Sequence, residues 1–377
     1  MAKFKIGIEC ESIEGKNPVF GIGRIIVKLL EEISGRPELG NDYRIILYFK
    51  DNIPEFQFLK SPIFETKLVS VPFFKNRLFP IYYFALLPIR LWFDRPDLMF
   101  WPNYMLPIIA FGKSLVVLTE DVYYEAHTSN LSLRYRLAYR IFGWWTAKFA
   151  DKIIAISETS KRNIAKLYNI ESDRIFVNHL GIDFLKTQSG WDIRESDNYI
   201  LFVGQMFPRR HAKETIQAFE RIAGENLTLK LIIVGPDKYE MPTIKDLILK
   251  INEKLGRETI IYKEYVSNEE LAKLYAGAMA LVYVSDREAF GLPPMEALTF
   301  GVPPIIADNE LGHELFGEYA FYSKSGDVDD IYKTIKQALT ENQKIDKIRS
   351  GGSEFVKKYN WKSFTNRFLD VIKKYEN

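Results

Sequence analysis

Short apolar runs rich in β-branched and aromatic residues recur along the chain. In the first half they fall at Phe4–Ile8, Tyr43–Phe49, Leu68–Val71, Leu98–Trp101, Leu115–Leu118 and Ile153–Ile156. In the second half they fall at Tyr199–Val203, Leu229–Val234, Thr259–Tyr262, Ala280–Val284 and Pro304–Ile306. Runs that are apolar throughout predict parallel strands covered on both faces. Helical spacing between them, as over Ile22–Ile33 and Lys213–Ala223, predicts βαβ units. The polar stretch Lys186–Asn198, KTQSGWDIRESDN, carries turn formers and no apolar period, so it reads as a linker. The expected class is α/β, with two doubly wound domains at 1–184 and 185–360 and a boundary near 184–196. Ligands would gather at the carboxyl ends of the strands, in a cleft between the two.

Length supports that division: 377 residues exceed the roughly 250–300 at which a single core stops growing. With 47% hydrophobic residues the chain can fill two cores. A net charge of +2 is too small to imply nucleic acid as a partner. Cys10 stands alone, so no internal disulfide forms, and its apolar setting reads as a buried bystander in a reducing compartment. The N-terminus reads as a strand rather than a signal peptide. The longest uncharged apolar run, Leu78 to Ile89, holds two prolines and falls short of the roughly 20 residues a spanning helix needs. The expected place is therefore the cytoplasm. The strip Phe73–Phe93 mixes aromatics with Lys75, Arg77 and Arg90, which suits peripheral contact with anionic lipid; a core helix with solvated ends is the competing reading. Oligomeric state is not legible in these patterns.

The segment Ser285–Gly301, SDREAFGLPPMEALTFG, carries the most chemistry. Pro293 and Pro294 suit the first turn of a helix, so the loop Ala289–Gly291 ends at a helix N-terminus. Such an end offers N–H donors and partial positive charge to a phosphate. Glu288 precedes this loop and Glu296 lies on the helix. The pair can hold hydroxyls at two ends of a ligand; equally, Glu288 can cap the loop and Glu296 can favour the helix dipole. Gly204–Phe219, GQMFPRRHAKETIQAF, follows a strand and enters a helix with Arg209, Arg210 and Lys213 clustered at its start. Such a cluster offsets charge on a departing diphosphate; a solvated basic face is the plain alternative.

EAFGLPPMEA is similar to the E-x7-E signature of retaining glycosyltransferases of family four, the group 1 glycosyltransferases. IIVGP at Ile232–Pro236, VSNEELAKLYAGA at Val266–Ala278 and GVPPIIAD at Gly301–Asp308 sit where that family has like strings. The likeness runs from FGIGR at Phe20–Arg24 to the YNW of Tyr359–Trp361. It implies the GT-B fold, two Rossmann-like doubly wound domains facing a cleft, with the last helix, 361–377, crossing back to the first domain. It implies that Glu288 touches the donor sugar and Glu296 binds the ribose. Arg209 and Arg210 are grouped with the catalytic residues, and Gly204, Gln205, Lys213, Ala289, Phe290, Gly291, Leu292, Gly21, Gly23 and Tyr265 with the donor-binding ones; for Gly21 and Gly23 ordinary turn chemistry is an equal competitor. Gln205 departs from the family, where many members have arginine. After the strand Leu115–Leu118, Glu120 stands where the family often has histidine, followed by Asp121; a catalytic carboxylate pair and a capped loop are both open there.

FGIGR lacks the third glycine of a dinucleotide fingerprint, because Ile26 stands in its place, which argues against NAD. The four histidines show no ligand spacing. Asp327-Val328-Asp329 has the D-x-D form, but it follows Gly326 and opens a helix, so an N-cap is expected. The expectation is metal-independent transfer, by a retaining mechanism and without a cofactor. It would move a hexose from a UDP- or GDP-linked donor substrate to a glycan or lipid-linked glycan acceptor. A non-catalytic nucleotide-sugar or glycan-binding protein of the same fold is the alternative, motivated by Gln205 and Glu120.

Overall fold

A computed structural model describes residues 3–15, 21–69, 79–127, 132–183, 198–239 and 241–376. The chain divides into two compact units, one of residues 1–181 with 359–377 and one of residues 182–358. The linker expected near 184–196 lies outside the described residues.

The first unit is built on a parallel sheet in the order β3-β2-β1-β4-β5-β6-β7. Its strands are β1 Phe4–Glu9, β2 Tyr43–Phe49, β3 Phe64–Leu68, β4 Leu98–Trp101, β5 Lys113–Val117, β6 Lys152–Ala155 and β7 Ile175–Val177. Ile6 lies opposite Ile45 on one side and Leu98 on the other. The direction of winding reverses between β1 and β4, which makes their carboxyl ends the switch point of this sheet. The helix Ile22–Ser34 buries Ile25, Ile26, Leu29, Leu30 and Ile33 on one face, as the 3.6-residue period requires.

The helix Trp361–Lys373 belongs to this unit too. Asn360 caps it by accepting from the Ser363 N–H at 2.8 Å. Phe368 packs edge-on against Phe100 of β4 at 4.8 Å, and Asn178 donates to the Phe364 carbonyl at 3.1 Å. At Gly181 an added Cβ would stand 2.5 Å from the Trp361 ring, so the backbone passes against that ring.

The second unit repeats the plan with a parallel sheet in the order β10-β9-β8-β11-β12-β13. Its strands are β8 Tyr199–Val203, β9 Lys230–Val234, β10 Ile260–Lys263, β11 Ala280–Tyr283, β12 Pro304–Ala307 and β13 Phe321–Ser323. Its switch point lies between β8 and β11, so the loops that leave these two strands are the place for a ligand.

One expected strand is displaced, and two short strands were not foreseen. The strand expected at Leu68–Val71 runs instead over Phe64–Leu68. It is a polar edge strand, with Glu65 paired to Arg44 at 2.6 Å and Lys67 paired to Asp94 at 2.7 Å, and this polarity concealed it. β7 and β13, three residues each, went unread because so short a run carries no period. The strip Phe73–Phe93 lies outside the described residues as far as 78, which includes Lys75 and Arg77. Beyond that it is a helical segment that buries Tyr82, Tyr83, Leu87 and Leu91 and ties Arg90 to Asp94 at 2.9 Å. Ile89, Trp92 and Phe93 remain exposed on it.

Candidate functional site

Gly204 ends β8 at φ 135°, and its N–H donates to the Val234 carbonyl at 2.8 Å. Gly235 ends β9 at φ 136° and presses on that turn, since a Cβ there would stand 2.1 Å from the Gly204 oxygen. Two positive-φ glycines thus set the start of the loop Gly204–His211. The loop closes with one tight turn at Pro208–Arg210 and His211 at φ 48°, then enters the helix Ala212–Glu225.

This path brings Arg210 onto Glu288. Arg210 Nε donates to Oε1 at 2.7 Å and Nη2 donates to Oε2 at 3.1 Å, a two-pronged ion pair. Its Nη1 also donates to the Gln205 carbonyl at 3.0 Å, and its guanidinium stands 5.1 Å over the Tyr283 ring. The two side chains are 14% and 16% exposed, so the pair is largely desolvated yet reachable. Ser285 Oγ lies 3.1 Å from Glu288 Oε1 and 3.0 Å from the Arg287 carbonyl, where its one proton serves either acceptor. Arg209 takes no part in this pair. It lies 4.5 Å over the Phe207 ring, and its carbonyl accepts from the Asp286 N–H at 2.9 Å. Arg209 Nε is buried without a hydrogen-bond partner. Lys213 stands 4.5 Å over the Tyr239 ring.

Glu296 lies on the helix Leu292–Thr299, is 7% exposed, and accepts from the Tyr275 hydroxyl at 3.1 Å. Gly291, at φ 81°, starts this helix. The N–H donors at this end are fewer than at an ordinary helix start. Pro293 and Pro294 occupy two of the four orphan positions and carry no N–H, which leaves Gly291 and Leu292 as donors. Phe290 is buried beneath the loop and Ala289 is partly exposed. Tyr265 is 67% exposed in the segment after β10 and shares no hydrogen bond or ring contact with this cluster among the described residues.

In the first unit, Gly21 precedes the helix Ile22–Ser34 at φ 55°, and Gly23 is buried within its first turn. Phe20 lies outside the described residues. The Glu120 carboxylate is buried; Ser160 Oγ donates to it, and so does Asn163 Nδ2 at 3.4 Å. It thus meets the first turns of the helix Glu158–Tyr168 through two side chains, while Ser157 is the N-cap of that helix. Asp121 opens the short helix Asp121–His127. Asp327 is the N-cap of the helix Val328–Thr340, accepting from the Asp330 N–H at 3.0 Å, as the D-x-D reading expected. Asp329 of that motif pairs with Arg221. Among the described residues no group of three metal-ligating side chains converges.

Sequence reasoning passed over His211 and Asp286. His211 Nε2 lies 2.8 Å from Asp286 Oδ1, and Nδ1 lies 3.6 Å from Glu214. This imidazole ties the loop after β8 to the loop after β11. The Glu214 contact raises its pKa above the usual histidine value; burial opposes this, and Asp286 adds to it. A raised folded-state value means that the clamp is fully held below the unfolded pKa of about 6.5 and is lost as pH rises through the folded one. The unfolding free energy of the wild type is expected to fall more steeply than that of His211→Ala between about pH 6 and about pH 9. Parallel urea-unfolding curves for the two proteins across that range would sink the clamp. The only hint in the sequence was PRRHAKE, where a histidine stands at the entry to a helix.

The family model described as Glycosyl transferases group 1 matches residues 183–374, half of the chain, and that described as Glycosyltransferase Family 4 matches residues 21–184. The O-antigen chain mannosyltransferase B of Escherichia coli is 29% identical over 240 residues, which cover 59% of this chain and 61% of that protein. The GDP-mannose:cellobiosyl-diphosphopolyprenol alpha-mannosyltransferase of Xanthomonas campestris is 25% identical over 69% of this chain and 67% of its own length. The chain thus spans about three fifths to two thirds of these curated relatives. The crystal structure of Anabaena HepE in complex with UDP-glucose superposes with a TM-score of 0.71 at 16% identity, over 98% of this chain and 99% of that one. At that identity the likeness speaks for the fold alone, which is GT-B with its two Rossmann-like sheets. The match over Glycosyl transferases group 1, together with this fold, places the chain in that family: it belongs to the group 1 glycosyltransferases.

Proposed function

We propose that the protein is a retaining glycosyltransferase of family four. It moves a hexose from a UDP- or GDP-linked donor to a glycan or lipid-linked glycan acceptor, without a metal ion. The observation that carries this reading is the grouping, at one switch point, of a guanidinium on Glu288 with Glu296 one helix tip away. The second unit, on this reading, holds the donor. Arg209, Arg210 and Lys213 face the diphosphate, Gly291 and Leu292 donate to it, Glu296 takes the ribose hydroxyls, and Glu288 takes the sugar. The first unit holds the acceptor. Mannose carried by GDP is the first donor to test, since one relative is named for it and another as an O-antigen mannosyltransferase.

In the step proposed, the bond from the sugar C1 to the β-phosphate oxygen breaks. The acceptor oxygen bonds C1 on the same face, and the acceptor proton passes to the departing diphosphate. The charge that grows on that diphosphate is offset by side-chain cations. Thermal-shift screening of UDP-, GDP-, ADP- and dTDP-sugars identifies the donor, because a ligand of the folded state raises its stability. Transfer or hydrolysis of that donor, undiminished by a chelator, is the expected result. Binding of intact donor with neither reaction in any acceptor pool would establish the binding-protein alternative instead. Glu296→Ala is expected to raise the nucleotide Kd about 10- to 100-fold, the worth of a charge-assisted hydrogen bond, and Tyr275→Phe to raise it less. Isothermal titration with the free nucleoside diphosphate measures both, and an unchanged Kd for Glu296→Ala would move the ribose elsewhere.

A further inference from the structure

The helix Leu133–Phe149, LRYRLAYRIFGWWTAKF, packs with its small residues inward. Gly143, Thr146 and Ala147 are buried, and a Cβ on Gly143 would meet the Tyr168 hydroxyl at 2.7 Å and Val122 at 2.8 Å. Close approach on that face turns the bulky apolar residues outward. Leu133, Leu137, Ile141 and Trp144 are 78%, 52%, 52% and 51% exposed. At about 100° per residue they fall within one stripe. The helix holds four cations, Arg134, Arg136, Arg140 and Lys148, and no Asp or Glu. Among the described residues no ion pair engages Arg134 or Arg140, and these flank the stripe. A globular protein normally turns such a stripe inward; an exposed one with an unneutralised basic rim marks a contact surface.

We propose that this helix lies on an anionic membrane surface, its apolar stripe among the acyl chains near the headgroups and its cations on the phosphates. Charge decides the occupant. A second copy docking on the same face would set these cations against their own kind, because a two-fold interface pairs a surface with itself. An anionic lipid surface both neutralises the rim and accepts the stripe. This helix belongs to the first unit and the loops proposed to hold the donor belong to the second, and its binding is measured without donor or acceptor.

Flotation of the full chain with phosphatidylcholine vesicles, with and without phosphatidylglycerol, tests it. Wild type is expected to float with the anionic vesicles and much less with the neutral ones, and added salt is expected to release it. Arg134→Ser with Arg140→Ser is expected to lower partition onto the anionic vesicles about 30-fold, since each cation near such a surface is worth about 1 kcal/mol. Ile141→Asp with Trp144→Asp is expected to abolish it, with melting curves like wild type because both side chains are exposed. Wild type left in solution with anionic vesicles, or both double variants floating as wild type does, would overturn the proposal. A concentration-dependent dimer that Ile141→Asp dissolves would overturn it too, by seating a second copy on the stripe.

Discussion

Arg210→Ala is expected to lower kcat/KM for sugar transfer by about 10²- to 10³-fold, the largest loss of any single substitution in the site. Two effects combine. The variant removes a cation from the place where diphosphate charge is proposed to grow. It also strips Glu288 of both its guanidinium bonds, at 2.7 and 3.1 Å, and leaves it only the neutral hydroxyls of Ser285 and Tyr283 as side-chain donors. A carboxylate that is 16% exposed and newly unpaired will swing toward water and lose its aim. Arg210→Lys restores charge but not the two-pronged geometry, so it should recover only part of the loss. Glu288→Ala should lower kcat more than it raises the donor Kd, because the carboxylate is assigned to the sugar and not to the nucleotide. Steady-state kinetics with the donor found by thermal shift separates these outcomes. Wild-type turnover in Arg210→Ala would end the assignment.

Gly235→Ala is expected to destabilise the second unit by about 3–5 kcal/mol, the range reserved for backbone strain joined to a steric clash. The new methyl would stand 2.1 Å from the Gly204 oxygen and 2.6 Å from its carbonyl carbon. Both partners are backbone, so no side chain can rotate away. The residue would also keep φ at 136°, which side chains with a Cβ avoid. Relief requires β8 and β9 to part just where the loop to Arg210 begins. Urea denaturation should show a lower midpoint, and nucleotide affinity should fall with it even where the protein remains folded. Gly224→Ala, in the exposed last turn of its helix with open space around the new methyl, is the control that should cost nothing.

The strands that form the middle of each sheet were legible because burial on both faces leaves an apolar run with no alternation. Tyr43–Phe49 and Tyr199–Val203 are observed over the residues that the pattern predicts. The edge strand Phe64–Leu68 was not legible, since its alternate residues are charged and meet partners on neighbouring elements. The loop-to-helix tip at Gly291 could be read from two prolines. The contact that gives that tip its chemistry could not, because Arg210 and Glu288 are 78 residues apart and only the parallel order of β8 and β11 brings them together. Glu120 shows the same limit in reverse. Local spacing left its role open, and it could not show the contact with Ser160, 40 residues onward.

The first unit is assembled from two pieces of chain, with the whole of residues 182–358 between them. During synthesis its seven strands leave the ribosome early, while the helix that covers Phe100 emerges only after the second unit has been made. The earlier-born half must wait with part of its apolar surface uncovered, and the later-born half is free to finish first. A nascent chain halted before Trp361 should therefore recruit chaperones at its N-terminal portion, and one released with the helix Trp361–Lys373 in place should not.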